Sequence, residues 1–287
     1  MAFKDTFFSS KKSINCGGQL IDLSIPRVMG IINVTSDSFY PGSCYEDVED
    51  ILKRVEQIIH EGGSFIDLGA TSSRPGKKLI QTNDEIAKLT PVFEAIKKKF
   101  PEVIISLDTY NSATAKWAIE NFRIPIINDI SAGNIDPHMF RIIADYKVAY
   151  IIMHMQGIPE NMQLNPRYSD LIKEIIIYFS SKVEQLKVMG VNDVIIDPGF
   201  GFGKTIEHNF SLMNKLDAFK IFELPLLVGI SRKSMIYKVL NTTPGEALNG
   251  TTSLNTVALL SGADILRVHD VKEAMETITL VEKLKSS

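Results

Sequence analysis

A series of polar residues stands at or just past the ends of short apolar runs, and their types suit the binding of a polar, partly anionic small molecule. They are Asn33, Asp67, Asp108, Asn128, His154, Asp197, Lys233, Arg267 and His269. Each has a plain structural explanation when taken alone. Asn33 or Asn128 could be a turn residue, Asp108 a helix cap before the segment starting at Ser112, and His154 a core histidine with its polar atoms satisfied. Together, carboxylates and amides facing a lysine and an arginine describe a polar, nearly charge-balanced pocket. No Ser/His/Asp or Cys/His arrangement stands out, and no histidine-rich metal cage. The chemistry this inventory supports is positioning and charge stabilisation. The stretch D-P-G-F-G-F-G-K-T at 197–205 ends like a phosphate-binding nucleotide loop, but Pro198 occupies the first glycine position of that pattern. It also fails the dinucleotide pattern, because Lys204 takes the third glycine position. Its glycines let the backbone turn sharply after a strand and keep side chains clear of a ligand approached by Asp197.

The apolar runs that carry these residues cover 28–32, 65–68, 103–107, 124–127, 148–153, 194–196, 226–230 and 264–268. Apolar on both faces, they read as buried parallel strands. Between the first two, Val48, Ile51, Leu52, Val55, Ile58 and Ile59 recur at helical spacing before Gly62, a C-terminal stop. Similar patterns cover 86–100, 112–121, 171–189, 209–216, 246–260 and 271–284, with Pro91 expected to split the first. Such alternation predicts an α/β fold, a (β/α)8 TIM barrel, with residues 1–26 as a short N-terminal arm of one domain spanning 27–287. In that fold catalytic groups sit where strands end, and loops after the seventh and eighth strands often bind phosphate. Here those loops hold Ser231, Arg232 and Lys233, then Arg267 and His269. The long loop after the second strand adds Arg74, which is otherwise a solvated loop charge.

Of 287 residues, 45% are hydrophobic, enough for a large core; 31 basic and 34 acidic residues leave a net charge of -3. That balance excludes nucleic acid and anionic membranes as primary partners. Cys16 and Cys44 are too few for a disulfide framework. Residues 1–15 lack a signal-peptide core, and no apolar run is long enough to span a bilayer. A cytoplasmic location is the expectation.

The ordered motifs resemble those of the bacterial dihydropteroate synthase family from about Val28 to the C-terminus. They are M-G-I-I-N-V-T-S-D-S-F at 29–39, S-S-R-P-G at 72–76, L-D-T-Y at 107–110, I-N-D-I-S-A-G at 127–133 and M-H-M-Q-G at 153–157. The series continues with D-P-G-F-G-F-G-K at 197–204, S-R-K-S at 231–234 and R-V-H-D at 267–270. The resemblance implies a TIM barrel and a transferase of folate biosynthesis that joins 6-hydroxymethyl-7,8-dihydropterin diphosphate to p-aminobenzoate. By the same resemblance Asp197, Asn128, Asp108, Lys233 and Arg267 bind the pterin. Asn33, Arg74, Arg267 and His269 hold the diphosphate, with Mg2+ held at Asn33. Ser73, Pro75, Phe200, Ser231, Arg232 and Lys233 shape the p-aminobenzoate pocket, the pocket that sulfonamides mimic their way into. Asn33, Asp108, Asp197, Lys233, Arg267 and Arg74 carry the catalytic roles, and a homodimer is implied.

The chain departs from the family in its second loop. Where the family commonly reads G-G-E-S-T-R-P-G, this chain has G-A-T-S-S-R-P-G at 69–76. Ser73 keeps a hydroxyl without the methyl, and Thr71 replaces an acid, so p-aminobenzoate or sulfonamide binding is expected to differ while the reaction persists. Two other readings are a methyltetrahydrofolate methyltransferase, which would not need Arg74, and a non-catalytic pterin-binding paralogue, against which intact Asn33, Arg74 and His269 argue.

Overall fold

The computed structural model describes residues 13–34, 47–70 and 80–287. Each apolar run forms a parallel strand: β3 (Arg27–Asn33), β4 (Phe65–Gly69), β5 (Ile105–Asp108), β6 (Ile126–Asp129), β7 (Ala149–Met153), β8 (Val194–Asp197), β9 (Leu227–Val228) and β10 (Ile265–Val268). They pair in the order β8-β7-β6-β5-β4-β3-β10-β9. A parallel bridge between Ile196 and Leu226, with the Ile196 amide donating to the Pro225 carbonyl at 3.0 Å, brings β8 beside β9 and nearly closes the barrel. Ahead of the barrel, β1 (Ser13–Cys16) and β2 (Gln19–Asp22) form an antiparallel hairpin.

Between the strands run α1 (Val48–His60), α2 (Thr82–Lys99), α3 (Ser112–Phe122), α4 (Met139–Tyr146), α5 (Leu171–Val188), α6 (Ile206–Asn214), α7 (Ser234–Tyr237), α8 (Leu248–Ser261) and α9 (Val271–Lys285). The expected break at Pro91 does not occur: α2 continues through it. Both Pro91 and Ala87, whose carbonyl loses its donor, are exposed, so the loss falls on the solvent side of the helix and not in the core. The eight-residue α4 has no counterpart among the expected helices, because two turns give too few repeats for a period to stand out.

The period of two along each strand separates core from site. Outward residues, such as Val28, Ile32, Ile66, Leu68, Leu107, Ile127, Ile152, Ile196, Val228 and Leu266, pack under the helices. Inward residues low in the barrel are apolar: Met29, Phe65, Ile126, Ala149, Ile151, Ile195, Leu227 and Ile265 form one cluster with Ile14, Cys16 and Leu23. The N-terminal hairpin thereby plugs the end of the barrel opposite the strand C-termini. Two or four residues further along, the same inward parity changes to Asn33, Asp67, Ser106, Asp108, Asn128, Asp197 and Arg267. A dry floor thus carries a polar mouth.

Candidate active site

Asp67 is the hub of this mouth and is fully buried. Its Oδ1 accepts from the Ser106 hydroxyl at 2.6 Å, and its Oδ2 accepts from Asn128 Nδ2 at 3.0 Å and from Arg267 Nε at 2.6 Å. Arg267 extends Nη2 to Asp108 Oδ2 at 3.0 Å. A carboxylate only accepts, so it fixes the amide of Asn128 with nitrogen inward and leaves Oδ1 as the atom offered to a ligand. Burial, then the neighbouring Asp67 charge, pushes the Asp108 carboxyl up to about 7.

On the opposite side Asp197 ends β8, with Oδ1 accepting from the Gly199 amide at 2.8 Å. Burial raises its carboxyl, opposed by the Lys233 and Arg267 charges. Lys233 donates to the Phe200 carbonyl at 2.6 Å and lies 4.8 Å from the Phe202 ring centroid; burial lowers its ammonium to about 8. Gly199 has φ +73, and a Cβ there would sit 2.0 Å from the His154 carbonyl oxygen. The loop therefore requires glycine at this position. Lys204, which gives the segment its nucleotide-loop look, spends its ammonium on the Gly199 carbonyl (2.9 Å), the Phe202 carbonyl (3.1 Å) and His154 Nδ1 (3.0 Å). It clasps the β8 loop to the end of β7. His154 is accordingly a satisfied core histidine.

A third group lies where β9 and β10 end. The His269 amide donates to Ser231 Oγ at 3.2 Å. Burial, then the Arg267 charge, lowers the His269 imidazole to about 3. Arg232 is engaged within the protein. Its Nε and Nη2 hold Asp270 at 2.9 and 2.8 Å, and Nη1 donates to the Pro244 carbonyl at 2.8 Å. The Phe200 ring is fully buried in the outer core, so its carbonyl, not its ring, serves the mouth.

Hydrogen bonds join Asp108, Asn128 and Arg267 through Asp67, and Asp197 and Lys233 lie within electrostatic reach of Arg267, with Ser231 bonded to the His269 amide. Asn33 ends β3 on the same inward parity. Arg74, Ser73 and Pro75 lie outside the described residues. Sequence reasoning counts Asp67 among the strand-end polar residues but not as a hub, and it misses Ser106; the available signal is an acid and a hydroxyl at inward positions of strands otherwise built from large apolar residues.

The fold and site define a parallel-barrel enzyme whose C-terminal mouth is built from buried acids, an amide and cations. Residues 29–269 match the family of pterin binding enzymes. The chain is 40% identical over 272 residues to the dihydropteroate synthase of Escherichia coli K12, covering 94% of this chain and 95% of that one. It is 38% identical to the dihydropteroate synthase of Streptococcus pyogenes, over 90% of this chain and 95% of the other. A crystal structure of the Yersinia pestis dihydropteroate synthase in complex with a sulfonamide drug superposes with a TM-score of 0.90 at 38% identity, covering 96% and 99% of the two chains. The chain belongs to the dihydropteroate synthase family of pterin-binding transferases.

Proposed function

We propose that this protein condenses 6-hydroxymethyl-7,8-dihydropterin diphosphate with p-aminobenzoate, giving 7,8-dihydropteroate and diphosphate. The observation that supports the reading is the Asp67–Arg267–Asp108 chain at the strand ends, with Asn128 bonded to the same Asp67 and with Asp197 and Lys233 within electrostatic reach of Arg267. The aminopyrimidinone edge of a pterin offers adjacent N–H donors, and Asp197 supplies the carboxylate that accepts both. Asn128 Oδ1 and Asp108 face other ring edges, Lys233 the ring carbonyl side, and the planar guanidinium of Arg267 the ring face.

In the reaction the methylene C–O bond breaks with its electron pair leaving on diphosphate. The arylamine lone pair forms the new C–N bond, and the amine then loses one proton to solvent. Cleavage ahead of attack builds positive charge on the dihydropterin, which the Asp108 and Asp197 carboxylates favour, and negative charge on the departing oxygens, which Arg267 and Arg74 oppose. An arylamine is already uncharged at neutral pH, so no strong base is required.

Among the described residues no group of three or more His, Cys, Asp or Glu could hold a metal. Mg2+ would be carried largely by substrate phosphates and water, with Asn33 as one protein ligand, as is usual for this cation. When bound, Mg2+ would offset diphosphate charge. Ser231 and Lys233, with Ser73 and Pro75 from the second loop, are the residues proposed for the p-aminobenzoate pocket, which the sulfonamide bound to the Yersinia pestis relative supports. A cytoplasmic location is part of the proposal; among the described residues no helix is long and apolar enough to cross a membrane. Exposed Val257 and Leu260 on α8 and Leu280 and Leu284 on α9 support a homodimer through these helices.

The test mixes purified protein, Mg2+, p-aminobenzoate and the pterin diphosphate. Dihydropteroate and diphosphate should appear in equal amounts, and no product should form from the pterin lacking diphosphate. Tight pterin binding with no diphosphate release would instead mark a non-catalytic binder.

A further inference from the structure

One buried cation has no part in the reaction described above. Arg54 lies on α1 among the core residues Ile51, Val55 and Ile58, only 8% exposed. Its Nη2 donates to the main-chain carbonyl of His269. The amide of the same residue is held by Ser231, so the His269 backbone is gripped on both sides. Among the described residues no carboxylate pairs with Arg54, and its Nε has no acceptor. The other two guanidiniums nearby are matched: Arg232 by Asp270, and Arg267 by Asp67 and Asp108.

Burying an unmatched cation is costly, and an aliphatic residue would fill this helix position without that cost. The charge therefore needs a compensating anion, and the residue that Arg54 bonds, His269, is bonded to Ser231 and lies within electrostatic reach of Arg267. Arg54 is close enough for its charge to act on the His269 imidazole.

We propose that Arg54 is a positioning residue of the oxyanion site. It fixes the His269 main chain and places behind it a positive charge, uncancelled by any described carboxylate, that favours diphosphate-bearing over phosphate-free pterins. This rests on the diphosphate reading given above.

Calorimetry on the full-length protein with Mg2+ separates the two. Wild type is titrated with inorganic diphosphate and, separately, with 6-hydroxymethyl-7,8-dihydropterin, which lacks phosphate. Arg54→Met should weaken diphosphate binding about tenfold, as loss of one close charge does at a partly desolvated site, and leave the phosphate-free pterin within twofold. Arg54→Gln keeps a donor for the His269 carbonyl without the charge and should behave like Arg54→Met, which also covers the case in which Arg54→Met fails to fold. Arg54→Lys should recover most of the affinity. Unchanged diphosphate affinity in Arg54→Gln, or parallel loss of both ligands, would overturn the proposal and leave Arg54 a packing residue. Failure of the wild type to bind diphosphate at all would instead overturn the underlying reaction.

Discussion

Arg267 on β10 reaches past β3 to bond Asp67 on β4, Nε to Oδ2 at 2.6 Å, and so joins two strands that do not touch in the sheet. The pair sets the plane of the guanidinium, and the second fork nitrogen then falls on Asp108 of β5. A bidentate cation shared by two acids is held far more rigidly than a lysine would be. The mouth's geometry therefore depends on an acid that need not touch the ligand.

Asp67→Asn tests this directly. The amide keeps one acceptor but cancels the charge, leaving Arg267 half-matched and setting an N–H against either the Ser106 hydroxyl or the Asn128 and Arg267 donors. Breaking a buried pair by removing one partner costs about 3–5 kcal/mol. At roughly 2–4 °C per kcal/mol for a chain of this size, the melting temperature should fall by about 10 °C. Pterin affinity by calorimetry should fall at least tenfold with it. Wild-type affinity in a destabilised variant would show that Asp108 alone keeps Arg267 in place.

The raised Asp108 carboxyl gives a pH signature. Its folded value of about 7 lies above the unfolded value near 4, so the folded state holds a proton that the unfolded state has lost. The stability this contributes is complete below about pH 4 and is lost as pH rises through about 7. Pterin binding that uses the carboxylate should run the other way, strengthening from pH 6 to 8. Asp108→Asn should flatten the fall in melting temperature over this window and remove the rise in affinity. Parallel pH curves in wild type and variant would assign the titration elsewhere.

How far the sequence reveals this site follows from the same geometry. The strands were legible because parallel strands buried on both faces leave unbroken apolar runs, and Asn128, Asp197 and Arg267 were legible because they interrupt those runs at one end. Asp67 was visible as a residue but not as a hub, since its partners come from positions 106, 128 and 267 and only strand order brings them together. Arg232 stands beside Ser231 in sequence yet turns to Asp270, because its φ of +54 redirects the chain. The N-terminal hairpin escaped because its apolar residues, Ile14, Cys16 and Leu23, are too few to show a period before they meet the barrel floor.

Asp197→Asn separates recognition from folding. The carboxylate offers two acceptors to adjacent donors, whereas an amide presents one acceptor and one donor that opposes a ligand N–H. A lost charged hydrogen bond and a buried clash of donors together predict at least a hundredfold weaker pterin binding by calorimetry. Folding should change little or improve, because burial disfavours the charge being removed and Gly199 keeps an acceptor. Retained affinity would move pterin recognition to Asp108.

Gly199→Ala probes the loop that carries Asp197 to the pterin. Its φ of +73 disfavours any side chain, and the new methyl would sit 2.0 Å from the His154 carbonyl oxygen, a backbone atom fixed at the end of β7. That strand end is also held by Lys204, which bonds the Gly199 carbonyl at 2.9 Å, so the methyl must break the clasp or displace the loop. Strain of this kind costs about 1–3 kcal/mol for the dihedral, with overpacking adding a similar amount. A melting temperature lower by about 10 °C and a raised KM for the pterin diphosphate are expected. Gly245→Ala is the comparison, since a Cβ there meets nothing nearer than Thr243 Oγ1 at 3.6 Å, and it should leave both quantities close to wild type. Equal behaviour of the two variants would mean that the β8 loop yields to the added methyl and that the clasp does not set the position of Asp197.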